Sequence, residues 1–278
     1  MNFTQHKHNG VVYMTAPNID TTHAFGARFG GVSSGIFATL NLGLNLDDKQ
    51  ENVKENYRRF CDAIGIETDD IVFSNQVHGT TIRTVSKSDR GGLFTPGKPQ
   101  ADGLITNEPG VALMVFTADC VPILLHDPVK GAIGAVHAGW RGTVAGIANV
   151  AVQAMIEQFG CNPHDIKAAI GPCIGVCCYE VGDDVVSALK KALGENISGS
   201  ELNKCIVVIT EDSTQNAQIN TRYKADLKEC NRLILEAAGV KDILISDECT
   251  HCSNDKYWSH RFTKGQRGSQ VAIITMLT

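Results

Sequence analysis

Two apolar runs separated by a polar turn lie near the middle of the chain: Ile123-Leu124-Leu125-His126-Asp127-Pro128-Val129-Lys130-Gly131-Ala132-Ile133-Gly134-Ala135-Val136-His137. Each run has the length of a β-strand and is rich in branched apolar residues. The Asp, Pro and Gly residues between the runs favour a turn. The stretch therefore predicts a β-hairpin, with Cys120 just before its first strand and His137 at the end of its second.

The same strand-like pattern recurs in other short runs, which are residues 11–14, 71–74, 81–85, 111–116, 167–170, 205–209, 243–246 and 270–275. Helical spacing of apolar residues occurs in fewer segments, which run from Asp47 or Asp48 to Gly65, from Thr143 to Gly160, over 183–193, and from Asn220 to Gly239. Strands outnumber helices and do not alternate with them. The pattern predicts an α+β fold, a layered sandwich of mixed β-sheets flanked by helices, rather than a doubly wound sheet. We expect a single domain over 1–278, with residues 1–10 frayed.

Composition narrows the class of protein. The 278 residues are 43% hydrophobic and carry a net charge of −5, which argues against a nucleic-acid-binding protein. No apolar run approaches the ~20 residues that span a bilayer. The first ten residues lack the apolar segment of an export signal. With ten cysteines and no such signal, we expect a cytoplasmic protein whose thiols are reduced.

Three side chains at predicted strand ends are candidates for a metal site: His78, Cys120 and His137. Zinc accepts imidazole nitrogen and thiolate sulfur, and a catalytic zinc usually keeps three protein ligands and one open position. Asp119, beside Cys120, suits a hydrogen bond to a ligating histidine, or a turn. The same atoms also fit a cysteine amidohydrolase in which Cys120 is the nucleophile and His137 the base.

Two further groups of cysteines are weaker metal candidates. Residues 171–179 contain Pro172-Cys173 and Cys177-Cys178, a spacing that misses the Pro-Cys-x-x-Cys motif of zinc nucleobase deaminases by one residue. The chain also lacks the His-x-Glu partner motif, which excludes that class. The run 249–252, Cys-Thr-His-Cys, places its ligands too tightly for one zinc without a second pair. The favoured interpretation of that run is a loop near the active centre.

Glycine-flanked arginines suggest an anion site. A strand, the loop Gly139-Trp140-Arg141-Gly142-Thr143 and a predicted helix follow one another, and free amides at a helix N-terminus bind anions. The alternative is an ordinary helix cap with a surface arginine. Arg261, in the loop 259–268, and Arg28 occupy similar surroundings. The Walker spacing is missing, so a nucleoside triphosphate is not implied.

Several stretches resemble the laccase-domain family, also described as polyphenol oxidases, multicopper oxidoreductases and, for some members, purine nucleoside phosphorylases. These stretches are Asn75-Gln76-Val77-His78-Gly79, Ala101-Asp102-Gly103-Leu104-Ile105-Thr106, Thr117-Ala118-Asp119-Cys120-Val121-Pro122, His137-Ala138-Gly139-Trp140-Arg141-Gly142-Thr143, residues 170–175, residues 178–181 and Ser259-x-Arg261. The resemblance extends from about Phe25 to Ile274.

The resemblance implies a layered α+β fold and a zinc site, with copper as an alternative metal, whose ligands are His78, Cys120 and His137. It implies phosphorolysis of adenosine, inosine and 5′-methylthioadenosine to the free base and ribose 1-phosphate, with some adenosine deamination. A carboxylate such as Asp102 or Asp119 would then move protons.

The predicted site residues are divided by role. The catalytic ones are His78, Cys120, His137 and Asp102, and those binding substrate or phosphate are Arg28, Arg141, Gly142, Asn75 and Arg261. One departure concerns Arg28, because the family's aromatic-Ser/Thr pair before this arginine is replaced here by other residues. The expected partners are a nucleoside and inorganic phosphate, without nucleic acid or membrane, in a monomer or homodimer.

The copper-oxidase description can be weighed by counting histidines. A blue-copper centre with a trinuclear cluster needs roughly ten histidines in His-x-His pairs. This chain has nine histidines, and its one His-x-His is His6-Lys7-His8. A laccase mechanism of the usual kind is therefore excluded. A copper or polyphenol oxidoreductase of another kind and the Cys120/His137 amidohydrolase stay as alternatives. A non-enzymatic binding protein has no long apolar or charged stripe to support it.

Overall fold

The computed structural model describes residues 2–194, 199–212 and 219–277. The strands in these ranges are β1 (Thr4–His8), β2 (Val11–Thr15), β3 (Thr22–Gly26), β4 (Ile71–Val72), β5 (Ile82–Thr84), β6 (Gly103–Thr106), β7 (Ala112–Thr117), β8 (Val121–Asp127), β9 (Ala132–Ala138), β10 (Lys167–Ile170), β11 (Glu180–Val181), β12 (Ile206–Asp212), β13 (Ile219–Ala225), β14 (Asp242–Ile245) and β15 (Gln270–Thr275). The helices are α1 (Gln50–Ile64), α2 (Trp140–Val144), α3 (Ile147–Phe159), α4 (Asp183–Gly194), α5 (Gly199–Cys205), α6 (Leu227–Ala237) and α7 (His260–Thr263).

The predicted hairpin is confirmed as β8 and β9, which pair antiparallel from Val121 opposite Ala138 to Asp127 opposite Ala132. The Asp127 carboxylate closes the turn by accepting hydrogen bonds from the backbone N–H groups of Val129, at 2.8 Å, and Lys130, at 2.9 Å. Every residue of both strands is buried. The hairpin is buried on both faces because it lies in the middle of a sheet that is covered on each side.

That sheet, here called the central sheet, has the strand order β14-β10-β8-β9-β6-β5. A second six-stranded sheet, β1-β2-β3-β15-β7-β4, packs against one face through side chains such as Leu104, Leu113 and Leu124. Helices α3 and α6 cover the other face of the central sheet, and α1 covers the outer face of the second sheet with Tyr57 and Phe60. A small third sheet has the order β11-β13-β12. The α+β prediction of mixed, layered sheets flanked by helices is confirmed.

Two predicted helical segments are not continuous helices in the structure. The segment from Thr143 to Gly160 is split, because Gly146 adopts a left-handed φ of 75° between α2 and α3. The helix predicted from Asn220 begins only at Leu227, since residues 219–225 pair with β12. The side chain of Asp226 caps this helix by accepting a hydrogen bond from the backbone N–H of Glu229 at 3.1 Å.

The two ends of the first predicted helix differ in outcome. Its end at Gly65 is confirmed, with a left-handed φ of 73°. Its start is Gln50, and the Asp48 carboxylate accepts hydrogen bonds from the side chains of Ser33 and Asn41 instead of capping the helix.

The predicted fraying of residues 1–10 is not found at residues 4–8. Residues Thr4 to His8 form β1, and each pairs with a residue of β2, from Thr4 opposite Thr15 to His8 opposite Val11. The backbone ladder supplies the order, since most side chains of β1 are exposed.

Within the described ranges, no helix has the length and apolar character needed to cross a bilayer.

Candidate metal centre

The three predicted ligands meet at one end of the central sheet. Cys120 immediately precedes β8, and His137 lies near the end of β9, opposite Pro122. Because β8 and β9 run antiparallel, the start of one and the end of the other share an edge. His78 comes from the loop before β5, the outermost strand on this side. The fold thereby joins residues that are far apart in sequence.

The ligand atoms of His78, Cys120 and His137 lie within 4.8 Å of one another. The Cys120 Sγ and His78 Nε2 atoms are 3.9 Å apart, and the two imidazole rings are nearly perpendicular with centroids 4.8 Å apart. Only 3% of His137 is exposed, Cys120 is half-buried and His78 is exposed. The group is therefore open to solvent on the His78 side.

A buried carboxylate, Asp102, orients both histidines. It accepts a hydrogen bond from His137 Nδ1 at 2.8 Å and from the backbone N–H groups of Val77, His78 and Gly79 at 3.1, 2.9 and 2.8 Å. With Nδ1 turned to the carboxylate, His137 keeps Nε2 for a metal. Such a carboxylate behind a histidine is typical of zinc sites. Asp102 thus lies behind the predicted ligands rather than on their open side.

Backbone strain is concentrated beside the ligands. His78 has a φ of 61° and Asp119 a φ of 88°, values that residues other than glycine rarely adopt. The turn at His78 directs consecutive amides at Asp102. The Asp119 carboxylate accepts hydrogen bonds from Thr250 Oγ1 and from the backbone N–H of Arg261, each at 2.6 Å. The bond to Asp102 holds His78 in its conformation, and the bonds from Thr250 and Arg261 hold Asp119.

Two glycines allow the loops to approach closely. A Cβ atom on Gly139 would lie 2.7 Å from Cδ2 of His78 and 3.4 Å from the sulfur of Cys120. A Cβ atom on Gly142 would lie 3.2 Å from the carbonyl oxygen of Gly79. The predicted anion-binding loop is in the structure Gly139 followed by α2, and this segment packs closely against His78 and Gly79.

The charges of the group are coupled in the metal-free protein. Burial alone would raise the pKa of the Cys120 thiol, but the adjacent His137 and hydrogen bonds from His137 and His78 lower it to about 6. Burial alone would lower the pKa of His137, yet Cys120 and Asp102 raise it to about 9. Burial opposes ionisation of Asp102 too, but His137 and the loop amides hold the pKa of its carboxyl below the ordinary value. The metal-free group therefore holds a Cys120 thiolate next to a His137 imidazolium. The thiolate is a soft anionic ligand for a metal.

Two arginines near the ligand group each lie against an aromatic ring. The guanidinium of Arg141 lies 4.3 Å from the centre of the Trp140 ring system, and that of Arg261 lies 5.2 Å from the ring centre of Tyr179. Burial and the nearby Cys120 thiolate raise the pKa of Tyr179 to about 12, while Arg261 and Arg141 oppose the shift. Tyr179 therefore lies within electrostatic reach of the thiolate and of both arginines.

Arg267 is a further arginine of this region that sequence reasoning did not single out. Its Nη1 donates to the Gly268 carbonyl and to Ser269 Oγ, while its Nε is buried without a hydrogen-bond partner. Burial lowers the pKa of Arg267, and nearby Cys120 and Asp119 oppose that shift. The predicted loop 259–268 contains both Arg261 and Arg267, and nothing in its pattern distinguishes them.

Arg28 is already engaged by protein groups. Its Nε and Nη2 donate to the Ala38 carbonyl at 3.2 and 2.7 Å, and its Nη1 donates to the Asn254 carbonyl at 2.8 Å. Its guanidinium also stacks 4.0 Å from the ring centre of Trp258. Arg28 therefore joins its own segment to the loop that precedes α7.

An open cavity of about 650 Å³ lies beside the loop that precedes β5 and carries His78, here called the ligand loop. Its wall includes Asn75 and Gln76, which immediately precede the turn at His78, and Ser269, which binds Arg267. Three aromatic side chains, Phe73, Phe94 and Phe116, are part of the lining. The rest of the lining mixes polar and apolar side chains, and a cavity of this volume suits a small organic ligand.

The donor set fits one zinc ion. It offers two imidazoles, one thiolate, an orienting carboxylate and an exposed side for a further ligand. It does not fit the copper centres of a laccase, because the side-chain groups suited to a metal in the described ranges contain only two histidines, His78 and His137.

Comparison with known proteins gives relatives over nearly the whole chain. Purine nucleoside phosphorylase YlmD of Geobacillus stearothermophilus is 40% identical over 252 residues, covering 89% of this chain and 87% of that protein. Adenosine deaminase RL5, from an unknown prokaryotic organism, is 32% identical over 252 residues, covering 88% and 90%. The crystal structure of YlmD from Geobacillus stearothermophilus superposes with a TM-score of 0.87 at 38% identity, covering 99% of each chain.

A family model gives the assignment. Residues 22–277 match the model described as multi-copper polyphenol oxidoreductase laccase. The match includes every predicted ligand and nearly all of the three sheets. The chain therefore belongs to this family, the one that its sequence motifs resemble.

Proposed function

We propose that the chain is a zinc-dependent purine nucleoside phosphorylase. It would act on adenosine, inosine and 5′-methylthioadenosine with inorganic phosphate, and release the free base and the corresponding ribose 1-phosphate. The phosphorylase names of relatives that match most of the chain support this reaction class. The observation that carries the proposal is the open group formed by His78, Cys120 and His137.

The reaction exchanges one bond at the anomeric carbon of the ribose. The bond from this carbon to the purine nitrogen breaks, a bond to a phosphate oxygen forms, and the base leaves with the electron pair and takes up a proton. When bound, zinc would act as a Lewis acid that orients and polarises an oxygen ligand. His78, Cys120 and His137 would hold the ion, and Asp102 would fix both histidines.

Cationic and amide groups on the open side would bind phosphate. Arg141 lies in α2, two residues after Gly139, which closely approaches His78, and its forked guanidinium suits a phosphate group. Arg267, which lies near Cys120 and Asp119, would add positive charge to the region. Arg261 and the Gly142 amide would contribute from the two sides of the group. Arg28 would support the site through the carbonyl groups that it already binds.

The nucleoside would occupy the cavity beside the ligand loop. A purine is flat and apolar on its faces, so the aromatic side chains of the lining suit it. Asn75, at the boundary between the cavity and the turn at His78, is placed to bind a polar edge of the substrate. The ribose would then lie towards the ligand group, where the bond to the base is exchanged.

Adenosine deamination is a second candidate activity, because one relative of similar coverage is named adenosine deaminase. Water would then react at the purine instead of phosphate at the ribose. A cysteine amidohydrolase is less well supported, since His78 adds a second imidazole to the Cys120 sulfur and a hydrolase of that type needs one.

Product analysis tests the proposal. Purified zinc-loaded protein is incubated with adenosine, with and without inorganic phosphate, and the products are identified by mass spectrometry. Adenine and ribose 1-phosphate that form only with phosphate support the phosphorylase. Inosine formed at equal rates in both reactions would assign deamination instead, and the absence of any product would contradict both activities.

An arginine variant tests the phosphate site. Arg141→Ala removes charge-assisted hydrogen bonds worth about 1.5–3 kcal/mol each, so KM for phosphate should rise by ~10-fold or more. Arg58→Ala is the matched control, because Arg58 is exposed on α1 and paired with Glu55. Equal KM values for phosphate in the two variants would show that Arg141 does not bind phosphate.

A further inference from the structure

Four cysteines outside the ligand group form a second cluster. The sulfur atoms of Cys177, Cys178, Cys249 and Cys252 all lie within 4.8 Å of one another. The Cys252 sulfur is 3.5 Å from that of Cys177 and 3.3 Å from that of Cys178. All four are free cysteines. The run 249–252 thus finds the second pair of ligands that its spacing requires.

The spacing of the sulfurs matches a single tetrahedral ion. With Zn–S bonds of about 2.3 Å, the sulfurs of a tetrahedral site lie about 3.8 Å apart. Four thiolates in this arrangement are typical of zinc or iron sites. An iron–sulfur cluster places several atoms between its cysteines and separates them further, so the short distances favour a mononuclear ion.

The topology explains why the two pairs meet. Strands β10 and β14 are parallel neighbours, with Ile170 opposite Ile245, so the loops that follow them leave the sheet at the same end. The first loop carries Cys177 and Cys178, and the second carries Cys249 and Cys252.

Backbone contacts hold the two loops together. The backbones of Cys173 and Cys249 form an isolated parallel β-bridge, and the Thr250 N–H donates to the Cys173 carbonyl at 3.0 Å. The Gly175 N–H donates to the Cys249 sulfur at 3.2 Å, and an amide directed at a sulfur stabilises a thiolate.

We propose that Cys177, Cys178, Cys249 and Cys252 bind one structural zinc ion, which joins the loop after β10 to the loop after β14. Four protein ligands leave the ion no open position, and structural zinc sites are closed in this way. The site differs from the candidate catalytic centre in donor set, in number of ligands and in its location on loops.

The joined loops also support the candidate catalytic centre. The Ile174 N–H donates to the Asp119 carbonyl at 3.0 Å, and Thr250 Oγ1 donates to the Asp119 carboxylate at 2.6 Å. Asp119 immediately precedes Cys120. The structural ion would therefore keep this strained residue and the adjacent thiol in position from both loops.

Elemental analysis of a set of variants tests the proposal. Wild-type protein should contain two zinc ions per chain. The double variant Cys177→Ser with Cys252→Ser should contain one, Cys120→Ser should contain one, and the three changes together should leave none. Cys161→Ser is the matched control, because Cys161 is buried outside both clusters, and it should keep two.

Metal counts separate this proposal from the proposed function. If the catalytic zinc were absent, wild-type protein and Cys120→Ser would each hold one ion, and the double variant none. Circular dichroism and the thermal midpoint show whether each variant folds. The double variant should melt at a lower temperature than Cys161→Ser, because the ion no longer joins the loop after β10 to the loop after β14.

X-ray absorption at the zinc edge gives a readout that does not depend on changing the cluster. In Cys120→Ser, the remaining ion should show four sulfur neighbours at about 2.3 Å and no imidazole. Iron in place of zinc, disulfide bonds among the four cysteines, or free thiols without a metal in this variant would each overturn the proposal.

Discussion

The two ligand clusters lie at the same end of the central sheet but differ in construction. His78, Cys120 and His137 are three ligands positioned by strand ends and a strained turn, with Asp102 buried behind them and one side open. The cysteine cluster has four thiols on two loops, with no carboxylate among its members. An open set suits chemistry and a closed set suits stability, so geometry alone assigns different roles to similar atoms.

The source of rigidity also differs between the clusters. The candidate catalytic group is held by the central sheet, and Asp102 binds both the His137 ring and the amides around His78. The loops of the cysteine cluster are joined by a β-bridge and backbone hydrogen bonds, and a metal ion would add a constraint between their side chains. This contrast leads to predictions that separate activity from stability.

The largest expected effect is on activity, from Cys120→Ala. Loss of a ligand should remove the zinc of the open group and the several kcal/mol that a Lewis acid contributes, which corresponds to ~10³-fold or more in kcat/KM. The thermal midpoint should change less than in the Cys177→Ser, Cys252→Ser double variant. The contrast between the clusters fails if the double variant loses more activity than Cys120→Ala.

The next effect concerns Asp102→Asn. An amide offers one acceptor oxygen where the carboxylate receives four hydrogen bonds, so both histidines lose orientation. Loss of such a carboxylate typically costs ~10- to 100-fold in metal affinity or activity. Zinc affinity is measured by competition with a chelator. Asp20→Asn, at an exposed ion pair with Lys167, serves as the control, and equal affinities in the two variants would argue against the orienting role.

An effect of similar size is expected on activity from Gly139→Ala. The added methyl group would lie 2.7 Å from Cδ2 of His78 and displace its ring, and small displacements of catalytic groups cost ~10- to 100-fold. Gly134→Ala, on β9 before Gly139, is the control, because its methyl group would meet no atom closer than 3.4 Å. Steady-state kinetics compares the two. Equal activity would mean that the close approach at Gly139 has no role in positioning His78.

The smallest effect is the pH dependence of Cys120 alkylation. In metal-free protein its pKa of about 6 makes the thiolate dominant above that pH and removes it as the pH falls through that value. An ordinary cysteine has a midpoint near ~8.5. Low-pKa thiolates are weaker nucleophiles, so the midpoint is a better readout than the rate at neutral pH. Peptide mass mapping after iodoacetamide should give a midpoint near 6, and added zinc should protect the thiol.

An ordinary midpoint for Cys120 would contradict the charge coupling with His137. Enzyme activity in metal-free protein that is lost on alkylation, with no effect of chelators, would instead support the cysteine amidohydrolase. The experiment therefore distinguishes a thiolate that binds a metal from a thiolate that acts as a nucleophile.

The sequence predicted the parts of the fold that depend on local chemistry. The β8–β9 hairpin was recognisable because Asp127 and Gly131 form its turn, and the hairpin relates Cys120 to His137. The break between α2 and α3 was missed because a single glycine within a helical pattern, here Gly146, does not by itself predict a left-handed conformation. Strand β13 was missed because its residues were assigned to the start of the helix predicted from Asn220; in the described ranges it pairs with β11 and β12.

The sequence singled out the three candidate ligands that the structure brings together, but not the groups that support them. Asp102 was expected to move protons, and its position behind His137 became visible only from the pairing of β6 with β9. The four cysteines could not be joined from sequence, because Cys178 and Cys249 lie far apart and meet through the parallel pairing of β10 with β14. Local patterns identify which atoms suit a metal, whereas long-range pairing decides which of them meet.

The most direct test of the central claim is adenine release from adenosine in phosphate buffer, measured on metal-stripped protein as zinc is added back. The account predicts negligible release without zinc and activity that returns as the open group fills, with no return in His78→Ala. Full activity in the stripped protein, or full recovery in His78→Ala, would contradict it.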